Sequence, residues 1–223
     1  MAFNKVSKVD DRVFIRNVIV SVYDKTGLDD FIVDLLRLCP GVRFYSTGGS
    51  YDRLAALLMD RSGAHLVRMS DYTGQPEMKG GLVKTLDWKI YLGLLAEPYD
   101  ADHEADLERN DALAFDMVVG NLYPFAKAAA ESSSFESARQ HIDIGGPSML
   151  RAAAKNFLRV APVCGPDLYP SVVTALEKGR GALGFADRAN LAAQVFARQS
   201  VYDAAVAQYL QAQAPSLLPQ NYS

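Results

Sequence analysis

The chain has 223 residues, 49% of them hydrophobic and 22% charged, which excludes a disordered chain and fits one large domain or two small ones. Its net charge of −3, from 23 basic and 26 acidic residues, excludes a general nucleic-acid binder but leaves room for a local cationic pocket. Two distant cysteines, Cys39 and Cys164, and three isolated histidines, His65, His103 and His141, exclude a disulfide framework and offer no metal-ligand spacing. Reduced thiols and a cytoplasmic location are expected, and neither a metal nor a cofactor is. Charges interrupt every short stretch from Met1 to Asn17, so no signal-peptide core is read there. No apolar run approaches the roughly 18 residues a membrane span needs.

The β-branched run Asn17 to Tyr23 predicts a buried strand, and Asp24-Lys25-Thr26-Gly27 turns the chain into a helix near Leu28 to Leu38. A second strand, Val42 to Ser46, closes on Thr47-Gly48-Gly49-Ser50 before a helix near Tyr51 to Met59. His65 to Met69 reads as a third strand. The glycine-rich stretch Ser70 to Thr85 reads as a long irregular loop, and such loops often carry function. Trp88 to Ala96 is predicted helical, Phe115 to Asn121 a strand, Ser134 to His141 a helix, Arg159 to Cys164 a strand and Tyr169 to Leu176 a helix. Phe185 to Gln211 carries apolar residues at helical spacing and predicts one long helix or a helical pair. Alternating strands and helices predict an α/β fold, a three-layer parallel sheet with helices on both faces. A core over residues 1–180 and a C-terminal helical extension over 181–223 are expected.

The run Ile142 to Asn156 carries the densest chemistry. It reads as a short strand ending at Asp143, a turn at Gly145-Gly146, and a helix with Pro147 in its first turn. Free amides at that helix start would attract an anion. Arg151 and Lys155, four apart, share a helix face, and the three alanines between them predict a surface low enough for a flat molecule. Ligands of open α/β sheets bind at the carboxyl ends of strands. Asp24 to Gly27, Ser46 to Ser50, Asn121 to Phe125 and Asp143 to Ser148 fall there, and Lys25, Thr47 and Ser50 would add a charge and hydroxyls. The segment Gly179 to Gly184 fits G-x-G-x-x-G literally, but no strand leads into it, so it reads as a loop rather than a dinucleotide fingerprint.

Six segments in series resemble the IMP cyclohydrolase domain of the bifunctional purine-biosynthesis enzyme whose other half is AICAR transformylase. They are Ser21 to Leu28, Ser46 to Gly49, Ser70 to Met78, Val83 to Leu86, Asn121 to Phe125 and the run from Ile142. The resemblance runs from about Val18 to Leu210 and implies a stand-alone form without the transformylase half. It implies a methylglyoxal-synthase-like α/β fold, a homodimer and, as a further partner, a separate AICAR transformylase. The implied reaction is dehydrative closure of FAICAR to IMP, a purine nucleotide, with no cofactor or metal.

By the resemblance, Lys84, Tyr123, Asp143 and Lys155 form the catalytic group. Lys155 with Asp143 would polarise or protonate the formyl oxygen, while Tyr123 and Lys84 assist proton transfer. Lys25, Ser46, Gly48, Gly49 and Thr85 would hold the ribose phosphate, Asn121 and Gly145 would contact the base, and Ser21 and Thr47 complete the substrate-binding set. An Asp143–Lys155 pair needs the loop before the helix to fold back beside it, because Lys155 lies about 12 Å along the axis from Pro147. The chain departs from the family pattern at Leu82, where an arginine is usual, at Asp87 and Tyr91, which replace histidines, at Trp88, which replaces a proline, and at Tyr23, where serine is common. That altered segment keeps a second reading open, a purine-nucleotide-binding module without turnover. A methylglyoxal-synthase-like lyase rests on fold analogy alone.

Overall fold

The structure is a computed structural model that describes residues 6–76 and 85–213. Lys84, Leu82 and much of the predicted long loop lie outside the described residues. Strand β1 (Arg12–Phe14) precedes β2 (Asn17–Ser21), which is followed by helix α1 (Leu28–Leu38). Next come β3 (Arg43–Ser46), α2 (Gly48–Leu58), the single turn α3 (Ser62–His65), β4 (Leu66–Arg68) and α4 (Met69–Thr73). Beyond Thr85 lie α5 (Trp88–Leu95), α6 (Ala101–Arg109), β5 (Met117–Gly120), α7 (Phe125–Glu131) and α8 (Phe135–Arg139). The chain then forms α9 (Gly145–Lys155), β6 (Ala161–Val163), α10 (Tyr169–Lys178), β7 (Ala182–Gly184) and α11 (Phe185–Ala212).

Five strands pair in parallel in the order β4-β3-β2-β5-β6. Side chains alternate across a strand, and the two cores follow that period. Val18 and Val20 of β2, Phe44 of β3 and Met117 and Val119 of β5 face a cluster with Phe31, Ile32 and Leu35 of α1, Leu54 of α2 and Val172 of α10. Ile19, Tyr45 and Val118 face the opposite cluster, with Ile90 and Leu94 of α5, Met149 and Leu150 of α9, and Val195 of α11. Full burial of a side chain such as Leu35 or Ile90 stabilises by about 1.5–3 kcal/mol. This is the three-layer sandwich that the alternating pattern predicts. Burial pushes the Cys39 and Cys164 thiols up to about 11, so both stay protonated and inert near neutral pH.

The chain leaves β2 outward through β3 and β4, then returns to place β5 on the other side of β2. The register sets Ser21 opposite Gly120, so the loops leaving β2 and β5 diverge from adjacent points. Such a reversal of strand order opens a crevice at the carboxyl ends of the strands.

Several local expectations are corrected. No strand forms at Ile142 to Ile144; the Asp143 N–H donates to the Tyr202 hydroxyl at 2.7 Å and its carboxylate accepts the Gly146 N–H at the start of α9, so the segment is a capping loop. Ala152, Ala153 and Ala154 are buried in the α9 core, so they pack helices together rather than leaving a surface for a flat ligand. The Gly179 to Gly184 segment is not all loop: Arg180 and Gly181 turn with positive φ, and β7 then pairs antiparallel with β1. A three-residue strand whose partner lies far away in sequence has no local periodicity to reveal it. Helices α6 and α7 were not foreseen. Phe185 to Ala212 forms one helix rather than two, about 42 Å long.

Candidate active site

One end of the crevice gathers a helix start and a cation. Thr47 is extended and hands the chain to α2, whose first turn carries no acidic residue. The first amides of a helix have no partner within it, and the helix dipole adds positive potential there. The Lys25 ammonium hangs over this turn, 3.9 Å from where a Cβ on Gly49 would lie. The Ser50 hydroxyl accepts from the Val22 N–H at 3.0 Å and donates to the Val22 carbonyl at 3.1 Å, which ties α2 to the loop leaving β2.

The other end holds a carboxyl group. Asp143 Oδ1 accepts the Gly146 N–H at 3.1 Å. Burial raises the Asp143 pKa above the usual carboxylate range, against the opposing pull of amides from Gly146, Tyr123 and Gly145. The two glycines sit close against side-chain ends. A Cβ on Gly145 would stand 2.8 Å from Thr85 Oγ1, and one on Gly146 would stand 2.5 Å from Asp143 Oδ2. Gly146→Ala is therefore expected to destabilise the fold by roughly 1–3 kcal/mol through overpacking. A thermal melt indistinguishable from the parent protein would show that the Asp143 carboxylate is not held as described.

Between these ends lies a cleft of about 520 Å³. Ser21, Lys25, Thr47, Gly48, Gly49, Thr85, Asn121, Tyr123, Asp143 and Gly145 all line it, so five separate segments of the sequence converge there. Burial and the neighbouring Tyr23 hydroxyl raise the Tyr123 phenol above its ordinary pKa.

Three expectations fare differently. The Ser46 hydroxyl is fully buried and donates to the Val20 carbonyl at 2.7 Å, so it braces β3 on β2 instead of facing a ligand. Lys155 ends α9 on its exposed side, about 15 Å along the axis from Gly145, and does not line the cleft. The Asp143 loop does not fold back, so the expected Asp143–Lys155 pair is not made within the chain. The side chain of Asn121 is occupied: Oδ1 accepts the N–H groups of Tyr23 at 2.8 Å and Asp24 at 3.0 Å, and Nδ2 donates to the Asp24 carbonyl at 2.8 Å. It clamps the neighbouring loop, which leaves the second Nδ2 hydrogen as its remaining donor.

Sequence reading missed Tyr202 of α11, which holds the Asp143 backbone, and His141, whose ring stacks on Tyr123 with centroids 5.2 Å apart. No local signal marks Tyr202; its partner is 59 residues away. Two of the departures from the family pattern, Asp87 and Tyr91, have structural roles. Asp87 caps α5 by accepting the Lys89 N–H at 2.8 Å, Trp88 is 69% exposed, and Tyr91 packs against the α9 core. Among the described residues, Glu97, Asp100 and His103 bring potential metal-ligand atoms within 4.8 Å of one another. Asp100 caps α6 and His103 Nδ1 accepts the Glu97 N–H, so this group is engaged locally, outside the cleft.

Fold and cleft together define an α/β protein whose sheet switch point sets a helix start and the Lys25 ammonium opposite the half-buried Asp143 carboxyl. Known proteins share this chain's features. A family model described as AICARFT/IMPCHase bienzyme matches residues 153–223. The bifunctional purine biosynthesis protein PurH of Corynebacterium glutamicum (strain R) is 41% identical over 206 residues, covering 92% of this chain and 38% of that protein. PurH of Anaeromyxobacter sp. (strain K) is 42% identical over 208 residues, 93% of this chain and 38% of that one. A crystal structure of ForH superposes with a TM-score of 0.70 at 32% identity, covering 88% of this chain and 99% of that one. The chain belongs to the AICARFT/IMPCHase family. It spans about two fifths of the length of the curated relatives it matches.

Proposed function

We propose that this chain is an IMP cyclohydrolase that closes FAICAR to IMP with loss of water, in purine biosynthesis. The observation that supports this reading most is the pairing, in one cleft, of the Lys25–α2 anion seat with the Asp143–Tyr123 acid pair. The phosphate goes to the first amides of α2, Lys25 and Thr47. The base end lies between Tyr123 and Gly145. In an intramolecular condensation, holding the carboxamide nitrogen against the formyl carbon supplies much of the rate. Asp143 and Tyr123 carry the proton transfers: a carboxamide proton leaves as the nitrogen bonds to the formyl carbon, the formyl oxygen is protonated to a hydroxyl, and that hydroxyl departs as water with the proton of the formamido nitrogen. Lys84, from the resemblance, adds positive charge there. Lys155 has no step within a one-chain cleft. No metal or cofactor enters the proposed reaction.

A homodimer and a separate AICAR transformylase go with this reading as partners, and so does a cytoplasmic location. Among the described residues no helix is long and apolar enough to cross a membrane. The test is purified protein with FAICAR, following IMP by absorbance, with Lys25→Ala alongside. Loss of one charge-assisted phosphate contact, worth about 1.5–3 kcal/mol, is expected to raise KM roughly tenfold to a hundredfold with kcat little changed. IMP binding without turnover in the parent protein would instead identify a binding module.

A further inference from the structure

The cleft does not end at Tyr123. A second cavity of about 1200 Å³ runs from it between the loops after β5 and β6 and the outer side of α11. Its far walls are largely apolar, including Leu122, Pro124, Phe125 and Val201. Tyr23, Lys25, Asn121 and Tyr123 line both spaces, so the boundary between them passes through these residues. Of the four, the two tyrosines carry the bulk. Their ring centroids lie 4.1 Å apart with planes tilted by 50°, and Tyr123 stacks in turn on His141 at an interplanar angle of 17°. Three rings thus form a continuous screen.

The screen is fixed from behind. Asn121 receives the Tyr23 N–H and grips Asp24 from both sides. The Asp24 carboxylate accepts the Thr26 N–H at 2.9 Å and its hydroxyl at 2.7 Å, which sets the next turn. Because Asn121 stands two residues before Tyr123, one amide fixes the backbones of both tyrosines relative to each other. The Tyr23 ring itself is 49% exposed, so its main contact is the screen rather than the core.

We propose that Tyr23 is a specificity-determining residue: its ring partitions the cleft from the apolar groove and bars substituents on the base from entering it, with Asn121 as the residue that positions it. The proposal rests on reading the cleft as a purine-nucleotide site. Discrimination of this kind works by building a clash against the wrong ligand rather than by improving the right one.

The experiment is calorimetric titration of the full chain with IMP and with N6-benzyl-AMP, a purine mononucleotide with an apolar group on the six-membered ring. The parent protein is expected to bind IMP and to bind the benzyl nucleotide at least about 100-fold more weakly. Tyr23→Ala is expected to tighten the benzyl nucleotide by about tenfold or more while IMP changes by less than about threefold. Tyr23→Phe, which keeps the ring, is expected to match the parent. Asn121→Ala is expected to shift the same ratio in the direction of Tyr23→Ala. An unchanged ratio in Tyr23→Ala, or an equal shift in Tyr23→Phe, overturns the proposal while leaving the nucleotide site standing. A parent protein that binds neither ligand overturns the nucleotide reading itself, and the partition with it.

Discussion

Arg188→Leu is expected to cost about 3–5 kcal/mol of stability, lowering Tm by roughly 10 °C or more. Arg188 is fully buried at the start of α11 and, among the described residues, has no carboxylate in hydrogen-bond contact. Its charge is instead distributed over five backbone carbonyls. Nε donates to Phe157 at 3.1 Å, Nη1 to Asp11 at 3.1 Å and Leu183 at 2.6 Å, and Nη2 to Asp10 at 2.8 Å and Leu158 at 3.0 Å. One side chain therefore joins the N-terminal segment, the α9–β6 connection and β7. Leucine fills part of the volume but leaves those carbonyls without donors, each worth about 1–3 kcal/mol where water cannot enter. Arg188→Lys should recover only part of the loss, because an ammonium has three donors and no planar fork. Equilibrium unfolding in urea distinguishes these cases, and a loss below about 1 kcal/mol for Arg188→Leu would show that the bonds are replaceable by solvent.

Asp143→Asn is expected to lower kcat for ring closure by about 10²–10⁴ while leaving the protein at least as stable at neutral pH. The sign follows from burial. In the folded state the Asp143 pKa lies above its ordinary 3.8, so folding favours the neutral acid. As pH rises from the unfolded value through the folded one, the unfolded chain releases its proton first and stability is lost across that window. Asparagine is neutral throughout and escapes this loss, so melts of the two proteins should diverge as pH rises above about 4 and keep a constant offset below about 3. A kcat within tenfold of the parent would remove Asp143 from the chemistry. A variant less stable at pH 7 than at pH 3, relative to the parent, would contradict the burial argument.

The central strands were legible because burial on both faces demands continuous apolar residues, as in Val18-Ile19-Val20 and Met117-Val118-Val119. The β2, β3 and β5 loops were legible for a related reason: glycine, serine and threonine at the ends of such strands mark turns entering helices. What failed was direction. Ser46 reads like any serine before a glycine turn, yet strand alternation and the Val20 carbonyl take its hydroxyl into the sheet. Lys155 is a partner of Asp143 by the resemblance alone, and a regular helix carries it to the far end. Asn121 reads as a recognition amide until its three bonds to the neighbouring loop are seen. Tyr202, Gln199 and the β1–β7 pair depend on segments meeting across large separations, which no local pattern encodes.

Gln199 of α11 donates to the Pro147 carbonyl at 2.8 Å, and Tyr202 accepts the Asp143 N–H. Both ends of the acid loop are thus tied to a helix that follows every strand of the sheet in sequence. On the ribosome, β2, β3 and β5 can pair, and the anion seat at α2 can form, while α11 is still unsynthesised. The acid loop is tied down only afterwards. A nascent chain would therefore present an anion seat before it presents an ordered acid, and the cleft would mature in that order at every round of translation.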